Sequence, residues 1–488
     1  MSRSTRRNFL KISLGAAGSG AFWARTRAHG QVAPAGPATG VRGANDTIRV
    51  AVAGVNGRGT SHISAFAGMD KVRVAYIVDP DARLFDSRVR AVESKAGYRP
   101  QAVQDIRRVL DDKQVDVVSI ATPNHWHSLM TIWACQAGKD VYVEKPLSHN
   151  VHEGRIAVEA ARKYGRIVQH GTQSRTSGGH ERVMAAIHSG KLGRLLVSRG
   201  LCYKRRDSIG FKPTRQPPAE LDFDLWLGPA PEQPFHENLV HYNWHWFWDT
   251  GNGDIGNQGV HEMDLARWAI RGATLPRSVI SLGGRFGYED QGQTANTQLA
   301  FFDFGETQLI FEVRGLKTER FHGQGVGNIF HLEEGMICGT KFFPKGSREP
   351  APLPEVESHR GPGGDHFRNF IAAVRSRKVE DLNADVLEGH YSSALCHLAN
   401  ISYRLGELVP FNPRTRAFGD NKDAYETLER MEQHLAGENG LRLQELKYRL
   451  GRKLTVDPKA ETIVGDEQAA RMLTRDYRKP FVVPERLV

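Results

Sequence analysis

Ile48-Arg49-Val50-Ala51-Val52-Ala53-Gly54-Val55-Asn56-Gly57-Arg58-Gly59-Thr60 is the stretch whose reading decides the fold. Its first six residues are a short apolar, β-branched run of the kind a buried parallel strand shows, and Thr60–Gly68 after it has helical character. Strand, glycine turn, helix is the context in which a G-x-G-x-x-G fingerprint predicts a dinucleotide site. Gly54 permits the tight turn, Gly59 permits close helix–strand packing, and the helix N-terminus offers backbone N–H groups to a pyrophosphate. Asn56 replaces the middle glycine, with Gly57 beside it. Asn is a non-glycine residue that tolerates a left-handed backbone, so the turn survives.

Working outward, the next strand, Val72–Val78, ends in Asp79. An acid at that tip accepts hydrogen bonds from the adenosine ribose and repels a 2′-phosphate, so NAD is favoured. Arg58 and Arg83 keep NADP open, because either could screen Asp79 and pair with a phosphate. A helix through Val103, Ile106, Val109 and Leu110 leads to the strand Val115–Ile120 and the polar loop Thr122-Pro123-Asn124-His125-Trp126-His127. The helix Ser128–Ala137 and a strand through Val141-Tyr142-Val143 follow, stopped by Glu144-Lys145-Pro146. Ligands bind beyond such tips, so Lys145 is placed to reach both a nucleotide and its reaction partner. The alternation over residues 46–170 reads as a Rossmann domain with a doubly wound parallel sheet, which makes the fold class α/β.

In that order and spacing, Gly54-x-Asn56-x-x-Gly59, Asp79, Thr122-Pro123-Asn124-His125-x-His127 and Glu144-Lys145-Pro146 resemble the glucose-fructose oxidoreductase / inositol dehydrogenase / rhizopine catabolism (Gfo/Idh/MocA) family over about residues 47–410. The resemblance implies that Lys145 touches both the nicotinamide ribose and the reacting hydroxyl. Thr122, Pro123, Asn124, His125 and His127 are expected to frame the nicotinamide, and Glu144 to orient Lys145.

Residues 171–415 have another texture. Strand-like stretches at Leu195–Tyr203, Arg277–Phe286, Gln298–Phe304, Thr307–Val313 and Ile329–Cys338 predict an antiparallel sheet. The resemblance implies a C-terminal α+β substrate domain whose large, open, mainly antiparallel sheet covers the nicotinamide and often pairs with a neighbour, so a homo-oligomer is expected. Within it, Asn257, His261 and Asp264 fall at helical spacing and share a face. The family carries D-x-G-x-H-x-x-D here, so His261 matches and Asn257 stands in place of an acid, leaving Asp254 or Asp264 to supply charge. Lys145, His261, Asn257 and Asp264 are the expected catalytic set, and Gln173, His241, Trp244, Asn257 and His261 are expected on the substrate. His241-x-x-x-His245 has metal-ligand spacing, but no acid or Cys completes it and no metal is expected. Residues 416–488 read as a polar C-terminal extension without a legible role.

Thr5-Arg6-Arg7-Asn8-Phe9-Leu10-Lys11 and the weakly apolar run after it resemble a twin-arginine export signal, so residues 1–35 are read as leader and linker and the protein as periplasmic or otherwise exported. That run is too short for a membrane anchor. Six cations and no acid lie in the first thirty residues, and removing them lowers the formal charge from +11 to +5. No basic run interleaved with aromatics remains, so nucleic acid is not an expected partner. The four cysteines, Cys135, Cys202, Cys338 and Cys396, show no Cys-x-x-Cys and are expected as buried thiols. Three functions are open to this sequence. The first is an exported NAD(P)-dependent oxidoreductase acting on a secondary hydroxyl of a sugar or cyclitol. The others are a glycosidase that oxidises a hydroxyl transiently and recycles a bound cofactor, and a non-catalytic sugar-binding sensor.

Overall fold

The structure, a computed structural model, describes residues 46–487. The twin-arginine stretch and the rest of residues 1–35 lie outside them. The N-terminal domain carries β1 (Ile48–Ala53), α1 (Gly59–Ala67), β2 (Val72–Val78), α2 (Phe85–Ala96), β3 (Gln101–Val103), α3 (Arg107–Leu110), β4 (Val117–Ile120), α4 (Asn124–Gln136), β5 (Asp140–Val143), α5 (Val151–Lys163) and β6 (Val168–His170). All six strands are parallel, in the order β3-β2-β1-β4-β5-β6. Helices cover both faces, which is why β4 and β5 are buried at every residue and read in sequence as continuous apolar runs. Chain order reverses between β1 and β4, and the register there pairs Ala53 with Val78 and Ile120, and Ile120 with Val143. Gly54, Asp79, Ala121 and Glu144 therefore follow the strand tips along one line, at the crevice where such sheets bind ligands.

Two glycines make that crevice possible. Gly54 has φ +79°, and a Cβ on it would lie 2.5 Å from the Ala121 carbonyl and the Thr122 nitrogen. A Cβ on Gly59 would lie 1.9 Å from the Gly54 oxygen.

The second domain carries α6 (Gly178–His188), β7 (Leu195–Tyr203), α7 (Phe223–Leu227), α8 (Gly253–Gly256), α9 (Gly259–Trp268), β8 (Ser278–Gly284), β9 (Thr297–Asp303), β10 (Gln308–Arg314), β11 (Val326–Leu332), β12 (Gly335–Cys338) and β13 (Lys341–Pro344). After them come α10 (His366–Ser376), α11 (Val386–Arg404), β14 (Glu407–Pro410), α12 (Lys422–Gln433), β15 (Lys447–Leu450), β16 (Leu454–Asp457), β17 (Thr462–Val464) and α13 (Glu467–Arg471). Eleven strands form one mixed sheet, antiparallel except for the β7–β10 pair. Its inner face packs Cys202, Phe311 and Val313 against Val260 and Met263 of α9 and Leu395, Leu398 and Ala399 of α11.

Four expectations need correction. Ile329–Cys338 is not one strand but the hairpin β11–β12, turning at Glu333-Glu334. Residues 171–415 do not all belong to the second domain, because Phe370, Ile371 and Val374 of α10 complete the first domain's core with Phe66, Ile77 and Tyr142. Residues 416–488 are not a tail, since β15 joins β14 to β8 and β16 extends β8. Finally, part of the sheet's outer face is covered from within the chain. Asn421 caps α12 by accepting from the Ala424 nitrogen, and Ala424, Leu428, Met431 and Leu435 recur at helical spacing. They bury Val197, Ile280, Leu282, Phe301 and Ile310 of the sheet. Burying side chains of this kind contributes roughly 1.5–3 kcal/mol each.

All four cysteines are buried free thiols. No described helix is long and apolar enough to cross a membrane.

Candidate active site

A cleft of about 380 Å³ runs along the tips of β1, β2, β4 and β5. Leu225, Trp226, His241, Tyr242, Trp244 and His245 of the second domain line it from the other side. This roof is fastened to the first domain at one end, where Ala82 donates its N–H to the Glu220 carbonyl (3.0 Å), Asp222 to that of Pro80 (2.9 Å), and His241 Nε2 meets Asp81 Oδ2 at 2.7 Å.

At that end the backbone N–H groups of Asn56, Gly57 and Arg58 donate to no described residue and open toward the start of α1. Arg88 braces the turn from behind, donating Nε to the Val55 carbonyl and Nη2 to that of Asn56. Asp79 lines the cleft and accepts the N–H groups of Val55 (2.8 Å) and Asp81 (3.0 Å). Burial pushes its carboxyl up, and those N–H groups oppose the shift. Neither arginine that kept NADP open is near it in function. Arg58 donates Nε to Glu144 Oε1 at 2.8 Å, and Arg83 pairs with Asp81 at 2.5 Å. Open N–H groups at a helix start, glycines that no Cβ could replace and an unscreened ribose-side acid fit NAD.

At the other end Thr122 has a buried hydroxyl without a partner, and Asn124 donates Nδ2 to Asn252 Oδ1 (3.1 Å). The His127 ring bridges the Pro146 and Thr122 carbonyls at 2.6 and 2.8 Å, tying the β4 and β5 loops together. Thr122, Pro123, Asn124 and His127 all line the cleft. His125 does not. Its ring faces the Trp226 and Thr250 carbonyls, and burial drives its pKa down to about 3, so it fastens α4 to the second domain. Gly59 and Pro146 also lie outside the lining; Gly59 packs the turn and Pro146 supplies the carbonyl facing His127.

Glu144 differs from expectation as well. Its Oε1 accepts from Arg58, from His62 Nε2 (3.1 Å) and from Gln173 Nε2 (3.1 Å), while Oε2 accepts the Lys145 N–H at 3.3 Å. Burial opposes the charge, but the His62 and Arg58 contacts hold the carboxyl well below its usual range. Glu144 therefore fixes the Lys145 backbone, whereas Lys145 Nζ donates to Asn257, to its carbonyl at 3.0 Å and its Oδ1 at 3.3 Å. His62 is buried between Ser119 Oγ (2.8 Å) and Glu144. A carboxylate only accepts, so Nε2 carries the hydrogen and Nδ1 accepts the Ser119 hydroxyl. His62, Ser119 and Arg88 were missed from sequence, where each is an isolated polar residue in an ordinary strand or helix.

His261 lines the cleft, and neither ring nitrogen bonds to a described residue. Burial and then the Lys145 ammonium drive its pKa to about 3, so the imidazole is neutral at pH 7. Burial also lowers the pKa of Lys145. Asp264 is not in the cleft: it pairs with Arg175 Nε at 2.8 Å and accepts the Ser392 hydroxyl at 2.7 Å. Asp254 accepts Asn257 Nδ2 at 3.4 Å but is forked by Arg206 at 2.7 Å. Of the expected substrate contacts, Gln173 and Trp244 line the cleft, the latter stacked on His245 at 3.6 Å. His241 sits at the ribose end, paired with Asp81, and so is displaced from the reacting end.

Residues 48–172 match the Gfo/Idh/MocA description "Oxidoreductase family, NAD-binding Rossmann fold", and 206–331 match its "C-terminal alpha/beta domain", together just over half of the chain. The chain belongs to the Gfo/Idh/MocA oxidoreductase family. A stretch of 122 residues is 32% identical to a "Glycosyl hydrolase family 109 protein" of Shewanella pealeana, covering 24% of this chain and 27% of that one. Another of 159 residues is 28% identical to inositol 2-dehydrogenase of Salmonella typhimurium, covering 32% and 46%. The chain thus spans less than half the length of these curated relatives. Among solved structures, the WlbA dehydrogenase of Bordetella pertussis, in complex with NADH and UDP-GlcNAcA, is similar in fold with a TM-score of 0.54 at 20% identity, over 73% of this chain and 97% of that one. Levoglucosan dehydrogenase, in complex with NADH, gives 0.52 at 18% identity, over 72% and 97%. The family's NAD-binding domain is thus the first domain, and Lys145 from that domain and His261 from the second both line the cleft.

Proposed function

We propose that this family member is an NAD-dependent oxidoreductase acting on a secondary hydroxyl of a sugar or cyclitol. One observation carries the reading: Lys145 at a strand tip and His261 on the facing helix line the same cleft as the glycine turn and Asp79. Bound NAD supplies the hydride acceptor. The chain's own residues handle the oxygen and its proton. The neutral His261 imidazole takes the hydroxyl proton, and Lys145 Nζ, turning from Asn257, donates to the substrate oxygen as negative charge develops there. Asn257 receives the Lys145 amine through its carbonyl and Oδ1, with no negative charge of its own to hold it away from the reacting oxygen. The dehydrogenase relatives support a carbohydrate-type substrate.

A second reading is favoured by the glycosyl hydrolase family 109 relatives. In it a hydride passes transiently from a sugar hydroxyl carbon to bound NAD while the same two residues handle the proton; the aglycone leaves by elimination, water adds in its place and the hydride returns, with no net redox change. The roof over the cleft supports retention of the nucleotide through such a cycle. Export by the twin-arginine route is part of the proposal and rests on residues 5–11; fractionation of cells carrying Arg6→Lys/Arg7→Lys should shift the protein to the cytoplasm. The deciding experiment challenges the purified protein with sugars, cyclitols and aryl glycosides while following nicotinamide absorbance. Reduced nucleotide that accumulates with a free sugar supports the first reading, and aglycone release without accumulation supports the second. A protein that does neither is not an enzyme of this class.

A further inference from the structure

A second cavity, of about 460 Å³, lies one hydrogen bond from the cleft. Asn124 lines the cleft and donates to Asn252, which lines this cavity. Its other walls are the loop after β5, Trp248 and Asp249, the C-terminal half of α11, and the segment Gln468–Arg475. That last segment lies well beyond residue 331, where the family match ends.

The walls are rich in cationic donors. Arg404, Arg471 and Arg475 line the cavity against one acid, Asp249. Outside the lining, Glu153 lies 3.6 Å from Arg475 Nε and Glu467 lies 3.8 Å from Arg471 at the surface. Arg475 donates Nη1 to the Asp249 carbonyl at 2.8 Å, but its Nε and Nη2 are buried without a hydrogen-bond partner. Both ring nitrogens of His149 are buried in the same condition. The Arg404 guanidinium donates to no described residue and lies 5.0 Å from the Trp248 ring centre. Buried donors left without an acceptor are uncommon and call for one. Guanidinium forks match the geometry of oxyanions, and the volume is in the range of small-molecule sites.

We propose that this cavity is a second ligand site, which binds a phosphate or carboxylate group through Arg404 and Arg475 with Trp248 as its apolar wall. The site stands independently of the reaction assigned to the cleft. Isothermal titration of the full-length protein tests it, with NAD in excess so that the glycine turn does not contribute. Inorganic phosphate is used in one arm and D-glucuronate in the other. Saturable one-to-one binding is expected in at least one arm, which identifies the source of the oxyanion, with affinity falling tenfold or more in Arg404→Gln and in Arg475→Gln. The second variant also loses its bond to the Asp249 carbonyl and can fail to fold. Arg404→Gln removes no protein hydrogen bond and keeps the test decisive. Two outcomes overturn the proposal: no saturable heat from either anion, as from a cavity filled only by water, or unchanged affinity in Arg404→Gln.

Discussion

Glu144 shows how much one residue of this site depends on its neighbours. Its charge is buried at the tip of β5 and held by Arg58 and His62 from the start of α1 and by Gln173 from the turn after β6. Glu144→Gln would leave those donors facing an amide. Because Arg58 is 41% exposed, the loss is discounted to about 1–3 kcal/mol, read as a lower denaturant midpoint, with weaker nucleotide binding because Arg58 belongs to the turn. An unchanged midpoint would remove Glu144 from this role. The Glu-Lys-Pro run and His261 were legible in sequence because each belongs to a motif with fixed spacing. The partners of Glu144 were not, because they are set by tertiary approach across 29 to 86 residues and leave no local pattern. For the same reason Asp264, which shares a helical face with His261 on paper, was misassigned: Arg175 turns it into the protein interior.

Among elements, the turn between β1 and α1 carries the sharpest constraint. A methyl at Gly59 would lie 1.9 Å from the Gly54 carbonyl oxygen, so Gly59→Ala should abolish nucleotide retention by displacing the N–H groups of residues 56–58. Normal nucleotide content in that variant would contradict the geometry. The β-α alternation here was readable because strands buried on both faces are uniformly apolar. The β11–β12 hairpin was not, since the Glu333-Glu334 turn carries none of the Asn-Gly, Asp-Gly or Pro signals that mark a hairpin. The length and Asn421 cap of α12 were equally hidden, because a polar-rich amphipathic helix declares its apolar stripe only when a sheet face is there to receive it.

For the whole molecule, α12 covers the β7–β10 part of the large sheet's outer face within one chain. The full-length protein is therefore expected to elute as a monomer, and Leu428→Asp should expose the sheet's apolar strip and cause association. A wild-type dimer cross-linked through that face would contradict this.

Acid stability follows from burial. His125, His170, His245, His261 and His397 are pushed to about 3, and His331 and His366 to about 4, against an ordinary 6.5. In the window from 6.5 down toward 3 the unfolded chain binds more protons, so stability present above pH 6.5 is lost as pH falls. Glu262, raised by burial to about 8, works the other way between 8 and 4.5, as do the raised carboxyls of Asp79 and Glu153, but the lowered histidines outnumber them. The melting temperature should therefore drop between pH 7 and pH 5; a flat or rising value would refute the assignment of these rings as buried and neutral.

The central claim is that Lys145 and His261 act together on a substrate oxygen beside a bound nucleotide. The most direct measurement compares wild type with Lys145→Ala for nucleotide released on denaturation and for nucleotide reduced in a single turnover with the best substrate from the panel. Equal nucleotide content is expected, with a reduction rate lower by about 10²–10⁴-fold in the variant. Full nucleotide content with an unchanged rate would contradict it.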